Sequence, residues 1–146
     1  MLIKHFTSAC WGLGFIVCLG CSDGVKVVPA QGTVTLDGKP LDKLMVEFWP
    51  ESEGFRSFGE TDADGKFVLT TDDGEQQGAS VGTHRVIVKD VSVLGDKFLG
   101  RAGENVRMGT GQKPRISTKF ATPETTSLTV VVEASGANNF DIAVTK

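Results

Sequence analysis

Few side chains in this chain of 146 residues have the type and spacing that catalysis needs. Only two histidines are present, His5 near the N terminus and His84 within a run of alternating apolar residues. A Ser-His-Asp or Cys-His site would need His84 to meet a nucleophile, and its sequence neighbourhood marks none. Catalytic zinc usually requires three protein ligands, mostly histidine or cysteine. The sequence therefore predicts a structural or exposed-face histidine and no enzymatic activity.

Two glycine-containing motifs suggest ion or phosphate binding. Asp62-Ala63-Asp64-Gly65 begins like a calcium-binding loop, but Lys66 follows, the bidentate glutamate is absent and the flanking residues have strand character. Carboxylates in Asp72-Asp73-Gly74-Glu75 could contribute only if the fold brought them near. Gly109-Thr110-Gly111-Gln112-Lys113 lacks the spacing of a phosphate-binding loop and precedes no helix. We expect a hairpin turn at the first motif, and no metal or cofactor.

Three aromatic residues are the candidates for ligand binding. Trp49 falls on the outward parity of its predicted strand, and Phe55 and Phe58 flank a predicted hairpin. An exposed aromatic platform would suit sugar stacking or a protein partner. The alternative is that another strand or loop covers this second face of the sheet, which would make the three residues structural.

Cys21 lies at a change in composition. The first 20 residues pass from Lys4 into the uncharged stretch 6–19, which has the length of a secretory apolar region. The stretch ends in Cys18-Leu19-Gly20-Cys21, and polar residues follow. This resembles the bacterial lipoprotein signal, in which cleavage precedes a cysteine that then carries lipid. The alternative is an ordinary signal peptide cut nearby, with Cys21 unmodified. We predict a signal peptide at 1–20 and a lipidated tether at 21–30.

The composition after residue 20 narrows the possible partners. The remaining residues comprise 14 basic and 18 acidic side chains, a net charge of −4, and one cysteine, so no internal disulfide can form. Nucleic acid is not expected as a partner, because binding its phosphates needs a concentrated basic face. Attachment to anionic lipid through a basic patch is equally unsupported, so membrane contact should run through acyl chains on Cys21. Two or three chains on one cysteine satisfy the rule that stable anchoring takes more than one lipid. We expect export, with the protein held on the periplasmic or cell-surface side of a bacterial membrane.

The elements that would position these residues are short strands. From Gln31 onward apolar residues recur with a period of two, and Gly, Asp and Pro punctuate the runs. The predicted strands start near Gln31, cover 44–49, 56–61, 66–71 and 82–89, and end with 127–133 and 139–145. Residues 62–65 should join two of them in a hairpin. We predict that residues 31–146 form an all-β domain, a Greek-key sandwich of about seven strands.

The segment 91–113 breaks the strand pattern. It contains five glycines and four basic residues, and unstructured connections longer than about 12–15 residues are uncommon in compact domains. We predict a long flexible loop, with a possible binding role.

Three stretches carry a resemblance to a known family. They are the segments 32–41 (GTVTLDGKPL), 46–50 (VEFWP) and 61–67 (TDADGKF), and 81–88 and 119–130 continue the likeness. Together they resemble the carboxypeptidase regulatory-like domain, a transthyretin-like (prealbumin-like) β-sandwich of secreted bacterial proteins. The likeness covers about residues 31–145, with Ser117 and Phe120 standing where the family usually has proline and tyrosine.

The resemblance implies an accessory role, because in the carboxypeptidases this domain carries no catalytic residues. A ureide hydrolase on the same fold relies on several histidines and a C-terminal tyrosine motif, and this chain has no tyrosine. We therefore expect a lipid-anchored cell-envelope sandwich with a non-enzymatic structural or binding role. The alternative function is carbohydrate or peptide recognition, through the aromatic residues or the 91–113 segment, with an envelope protein or a glycan as partner.

Overall fold

The computed structural model describes residues 24–99 and 106–146, and their regular structure is almost entirely β. The only helical elements in these ranges are two three-residue 3-10 turns, Val91–Val93 and Thr118–Phe120. The strands are β1 (Val27–Val28), β2 (Ala30–Leu36), β3 (Lys39–Pro40), β4 (Leu44–Pro50), β5 (Ser57–Glu60), β6 (Lys66–Val68), β7 (Thr70–Thr71), β8 (Ala79–Ser80), β9 (Gly82–Asp90), β10 (Leu94–Leu99), β11 (Val106–Gly109), β12 (Thr129–Val132) and β13 (Asn138–Val144).

Two main sheets organise these strands. The larger has five strands in the order β12-β9-β4-β5-β7, with each neighbouring pair antiparallel. The smaller has four, in the order β13-β2-β3 with β6 also paired to β2. β13 runs parallel to β2 over seven residue pairs, from Asn138 opposite Ala30 to Val144 opposite Leu36. The first and last long strands of the domain are therefore neighbours.

A single apolar core lies between the two sheets. Strand periodicity explains it, because alternate residues of a strand point to the same face. Val46 and Phe48 of β4 are fully buried, as is Val34 of β2 in the other sheet, and all three belong to one cluster. Phe48 makes edge-to-face contacts with Phe67 and Phe140, at centroid distances of 6.3 and 5.3 Å. These three rings join the two layers at their centre.

The prediction of an all-β domain is confirmed, whereas the strand count is only approximately right. The described residues contain thirteen strand segments, because several predicted strands are interrupted or very short. Seven segments of three or more residues lie in the two main sheets: β2, β4, β5, β6, β9, β12 and β13.

The predicted hairpin across 62–65 is not a simple one. The turn forms, with the Gly65 amide donating to the Asp62 carbonyl. The returning chain, however, pairs first with β2 through β6 and only then with β5 through β7. Leu69, between β6 and β7, is fully buried. The chain therefore crosses from one sheet to the other at this core residue, which alternation along a sequence cannot reveal.

The prediction of a long loop at 91–113 is wrong as to secondary structure. A 3-10 turn leads into β10, and β11 pairs with β10 in an antiparallel sheet of two strands, separate from the main sheets. We call this two-stranded sheet the β10–β11 arm. Thr110 joins its two ends, since the backbone amide and the hydroxyl of Thr110 both donate to the carbonyl of Val93. The flexibility of the segment stays a prediction.

The N-terminal segment and the β10–β11 arm connect to opposite ends of the sandwich. At one end β1 pairs with β8, and the Lys26 ammonium donates to the carbonyl of Ala134, so the chain enters the domain there. At the other end β9 finishes at Asp90 and leads into the β10–β11 arm. β9 runs the length of the sandwich between these ends, and its nine residues span roughly 26 Å.

No helix among the described residues has the length and apolarity that a bilayer crossing demands.

Candidate functional site

A shallow pocket lies on the outer face of the five-stranded sheet. Its volume is about 300 Å³, and β4, β5 and the start of the turn after β7 form it. The residues that line it are Met45, Glu47, Trp49, Arg56, Ser57, Phe58 and Asp72. This volume is at the lower end of the range for ligand sites, and aromatic walls with a few polar groups are typical of such sites.

Trp49 is held in place by its neighbours. Its indole N–H donates to Oε2 of Glu47 at 2.9 Å, two residues back on the same face of β4. The other oxygen of Glu47, Oε1, accepts a hydrogen bond of 2.6 Å from the Lys89 ammonium on β9. Both oxygens of this carboxylate are therefore engaged, and the indole has one fixed orientation.

Arg56 covers one face of the Trp49 ring. The guanidinium carbon lies 4.9 Å from the ring centroid, a cation–π distance. Its Nε donates to Oδ2 of Asp72 at 3.3 Å. The side chains of Arg56 and Asp72 remain 54% and 36% exposed, so solvent reaches both members of the pair.

The three aromatic candidates do not form one platform. Phe58 stands opposite Glu47 on β5, lines the pocket and is 41% exposed. Phe55 is half-buried in the connection before β5, where its backbone amide donates to the Ser80 hydroxyl at 2.7 Å. The structure thus brings Trp49 and Phe58 together in the pocket, and Phe55 is not among the residues that line it. Whether any of the three binds a ligand stays a prediction.

His84 lies inside the sandwich. Its ring is fully buried and packs against Phe48 at 5.8 Å between centroids, and its Nδ1 lies 3.0 Å from the carbonyl of Gly82. Its Nε2 is buried and has no hydrogen-bond partner among the described residues. Burial lowers the pKa of this imidazole, against the smaller opposing effect of the Gly82 carbonyl. His84 therefore has the environment of a structural histidine.

The carboxylate of Asp62 serves the turn that follows it. Oδ1 accepts hydrogen bonds from the backbone amides of Asp64 and Lys66, both at 2.9 Å, which is an Asx-type arrangement. Within the described ranges, no group of three or more histidine, cysteine or carboxylate side chains has an arrangement that could hold a metal ion.

A clamp of charged residues closes the base of the β10–β11 arm. Arg115 donates to Asp90 through Nε, Nη2 and its backbone amide at 2.7–2.9 Å, and to the side chain and carbonyl of Asp42. Ser92 donates its amide and hydroxyl to Asp90 as well. We call Asp42, Asp90 and Arg115 the arm clamp. It ties the chain before the arm to the chain after it.

Electrostatics in the arm clamp favour the charged forms. Burial of the Asp90 carboxylate raises its pKa, but the hydrogen bonds from Arg115 and Ser92 outweigh this effect and hold the pKa well below its usual range. The same carboxylate, ahead of the opposing effect of burial, raises the pKa of Arg115. The side chain of Asp90 is completely buried, whereas that of Arg115 is 33% exposed.

Sequence reasoning identified Trp49 and Phe58 but missed Arg56, Asp72 and the arm clamp. Arg56 and Asp72 are 16 residues apart, and Asp90 and Arg115 are 25 apart, so no local pattern links either pair. The sequence signals were the outward parity of Trp49 and the position of Phe58 beside the predicted hairpin, and neither identifies the charged groups that share this face.

Cys21, the predicted lipidation site, lies outside the described residues. Comparison of the chain with known proteins found no matching family model, no similar curated protein and no similar solved structure.

Proposed function

We propose that this protein is a lipid-anchored binding module of the bacterial cell envelope, built on a Greek-key, transthyretin-like sandwich of the carboxypeptidase regulatory-like type. Its role is non-enzymatic. The anchor is Cys21, after cleavage of residues 1–20, and the tether is the short stretch 21–25, because Lys26 and β1 already contact the sandwich. The protein acts on the periplasmic or cell-surface side of the membrane.

The observation that carries this proposal is the opposite placement of the tether and the arm. The chain enters the sandwich beside Lys26 and Ala134, and the β10–β11 arm leaves from the far end, roughly 26 Å away along β9. A module anchored by its N terminus would present the arm away from the bilayer and the outer sheet face, with Trp49 and Phe58, to the side. Both surfaces would then be accessible to an envelope partner.

Lipid labelling tests the anchor directly. Cells that express the full chain would be fed a radiolabelled or alkyne-tagged palmitate, and membrane and soluble fractions would be compared. We expect label on the wild-type protein and its loss in Cys21→Ala, with a shift from the membrane fraction to the soluble fraction. Cys18→Ala is the matched control, because it removes the neighbouring thiol and should keep the label. Label that persists in Cys21→Ala, or a wild-type protein without label, would refute the anchor.

The pocket between Trp49 and Phe58 favours the recognition role over a purely structural one. A structural module needs no concave surface on its outer sheet face, whereas this pocket combines an exposed aromatic ring with charged groups that solvent can reach.

A further inference from the structure

The pocket has unused hydrogen-bonding capacity in one place. Nε of Arg56 is bonded to Oδ2 of Asp72, while the two terminal Nη groups of Arg56 and the Oδ1 atom of Asp72 make no hydrogen bond with any described residue. Donors and an acceptor therefore stand side by side at the mouth of the pocket, in planar groups with fixed geometry.

Trp49 supports this pair and is not itself the free aromatic surface. Arg56 covers one of its faces, and Glu47 holds its N–H. Stacking on the indole limits the motion of the guanidinium, so less side-chain entropy is lost when Arg56 binds a ligand. The exposed ring in the pocket is Phe58, at 41%.

The sheet edge beside the pocket is closed to an extended peptide. Strand addition needs a row of free backbone groups. β7 has only two residues, and the chain that follows it occupies its outer side: the Thr71 amide donates to the Gln76 carbonyl, and Thr70 bridges to Gln77. A peptide would therefore find no strand to join here.

The charges of the pocket are balanced. Arg56 pairs with Asp72, and Lys89 pairs with Glu47, so the four groups sum to zero. A strongly charged ligand would displace one of these pairs, whereas a neutral polar ligand can bond to the unused donors and acceptor without doing so.

We propose that the pocket binds one neutral pyranose ring of an envelope glycan. The C–H face of the sugar packs on Phe58, and two adjacent hydroxyl groups bridge Arg56 Nη, which donates, and Asp72 Oδ1, which accepts. This ligand class deepens the proposed binding function and rests on it. A pyranose supplies the apolar face, the donor and the acceptor that the pocket leaves unmatched.

Calorimetric titration of the full chain with neutral trisaccharides tests the assignment. The probes are chitotriose, cellotriose and maltotriose, with trigalacturonate as the acidic counterpart. We expect binding of at least one neutral probe, no tighter binding of trigalacturonate, and a loss of affinity of about tenfold in Phe58→Ala, which corresponds to ~1.4 kcal/mol. Asp72→Asn should weaken binding as well, because the amide cannot reproduce both the ion pair and the unused acceptor. This second variant keeps the shape of the side chain, so it should remain folded.

Val131→Ala is the matched control. Val131 is an exposed apolar residue of β12 at 53%, away from the residues that line the pocket, and its loss should leave affinity unchanged. Failure of all three neutral probes to bind, tighter binding of the acidic probe, or equal affinity in Phe58→Ala would overturn the proposal. Because lipid labelling of Cys21 is read independently of sugar binding, failure of the ligand assignment can be told apart from failure of the anchor.

Discussion

Two arginine–aspartate pairs in this sandwich have the same chemistry and opposite consequences. Arg115 and Asp90 share three hydrogen bonds around a completely buried carboxylate. The exposed side chains of Arg56 and Asp72 share a single hydrogen bond of 3.3 Å, and the Asp72 backbone amide also donates to the Arg56 carbonyl. The difference is the degree of burial. In the first pair all of the hydrogen-bonding capacity of the carboxylate is used to hold the fold together, whereas in the second much of it is left for another molecule.

This difference in burial makes the pocket the better candidate for recognition. Breaking a buried pair leaves an uncompensated charge in the interior, which makes such a residue part of the framework. An exposed pair contributes little to stability, so its loss destabilises the fold only slightly and its groups can rearrange around a ligand. Arg56 is additionally stacked on Trp49 at 4.9 Å, which orders it without burying it.

The largest expected effect is the loss of Arg115. Arg115→Ala removes every side-chain hydrogen bond from the guanidinium to Asp90 and Asp42, and it leaves the buried carboxylate of Asp90 without a charged partner, held only by Ser92 and the backbone amide of residue 115. We expect the free energy of unfolding to fall by about 3–5 kcal/mol, the range measured when one member of a buried ion pair is removed. Chemical denaturation followed by circular dichroism measures this. Arg56→Ala is the control and should cost about 0–1 kcal/mol. Equal losses in the two variants would contradict the distinction between the pairs.

A smaller effect should appear in acid. The pKa of Asp90 in the folded protein lies below its unfolded value of about 3.9, so the stabilisation is fully present above that pH and is lost as the pH falls through the folded pKa. The gap in unfolding free energy between wild type and Asp90→Asn should therefore narrow below about pH 4. Denaturant titrations at a series of pH values measure the gap. A constant gap for Asp90→Asn across this pH range would count against the role of its charge.

The smallest expected effect concerns His84, a buried titratable group without the partner that Asp90 has. Its folded pKa is lowered below the unfolded value of about 6.5, so its contribution is present above that pH and is lost on acidification. Wild-type stability should decline as the pH falls below about 6.5, and His84→Leu should flatten this decline. Thermal melts across the range measure it. An unchanged slope in His84→Leu would show that another group titrates there.

The local pattern of the sequence was enough to predict the strands and the face of Trp49. Val46 and Phe48 alternate with Glu47 and Trp49, and the structure buries the first two and places the others on the outer face. Alternation works because side chains of a strand point to opposite faces in turn, a property of each residue and its immediate neighbours. The same reasoning failed at Leu69, where one continuous apolar pattern serves two different sheets.

The partners of Arg56, Arg115 and His84 could be decided only by the tertiary structure. Asp72 and Asp90 are brought to their arginines by strand pairing across 16 and 25 residues, and the burial of His84 depends on a second sheet lying over it. The sequence by itself determined an all-β chain with alternating faces and a candidate aromatic surface, because those properties are local. Which charges are sealed in the framework and which remain open to a ligand depends on contacts between distant segments, and these exist only once the sheets have packed.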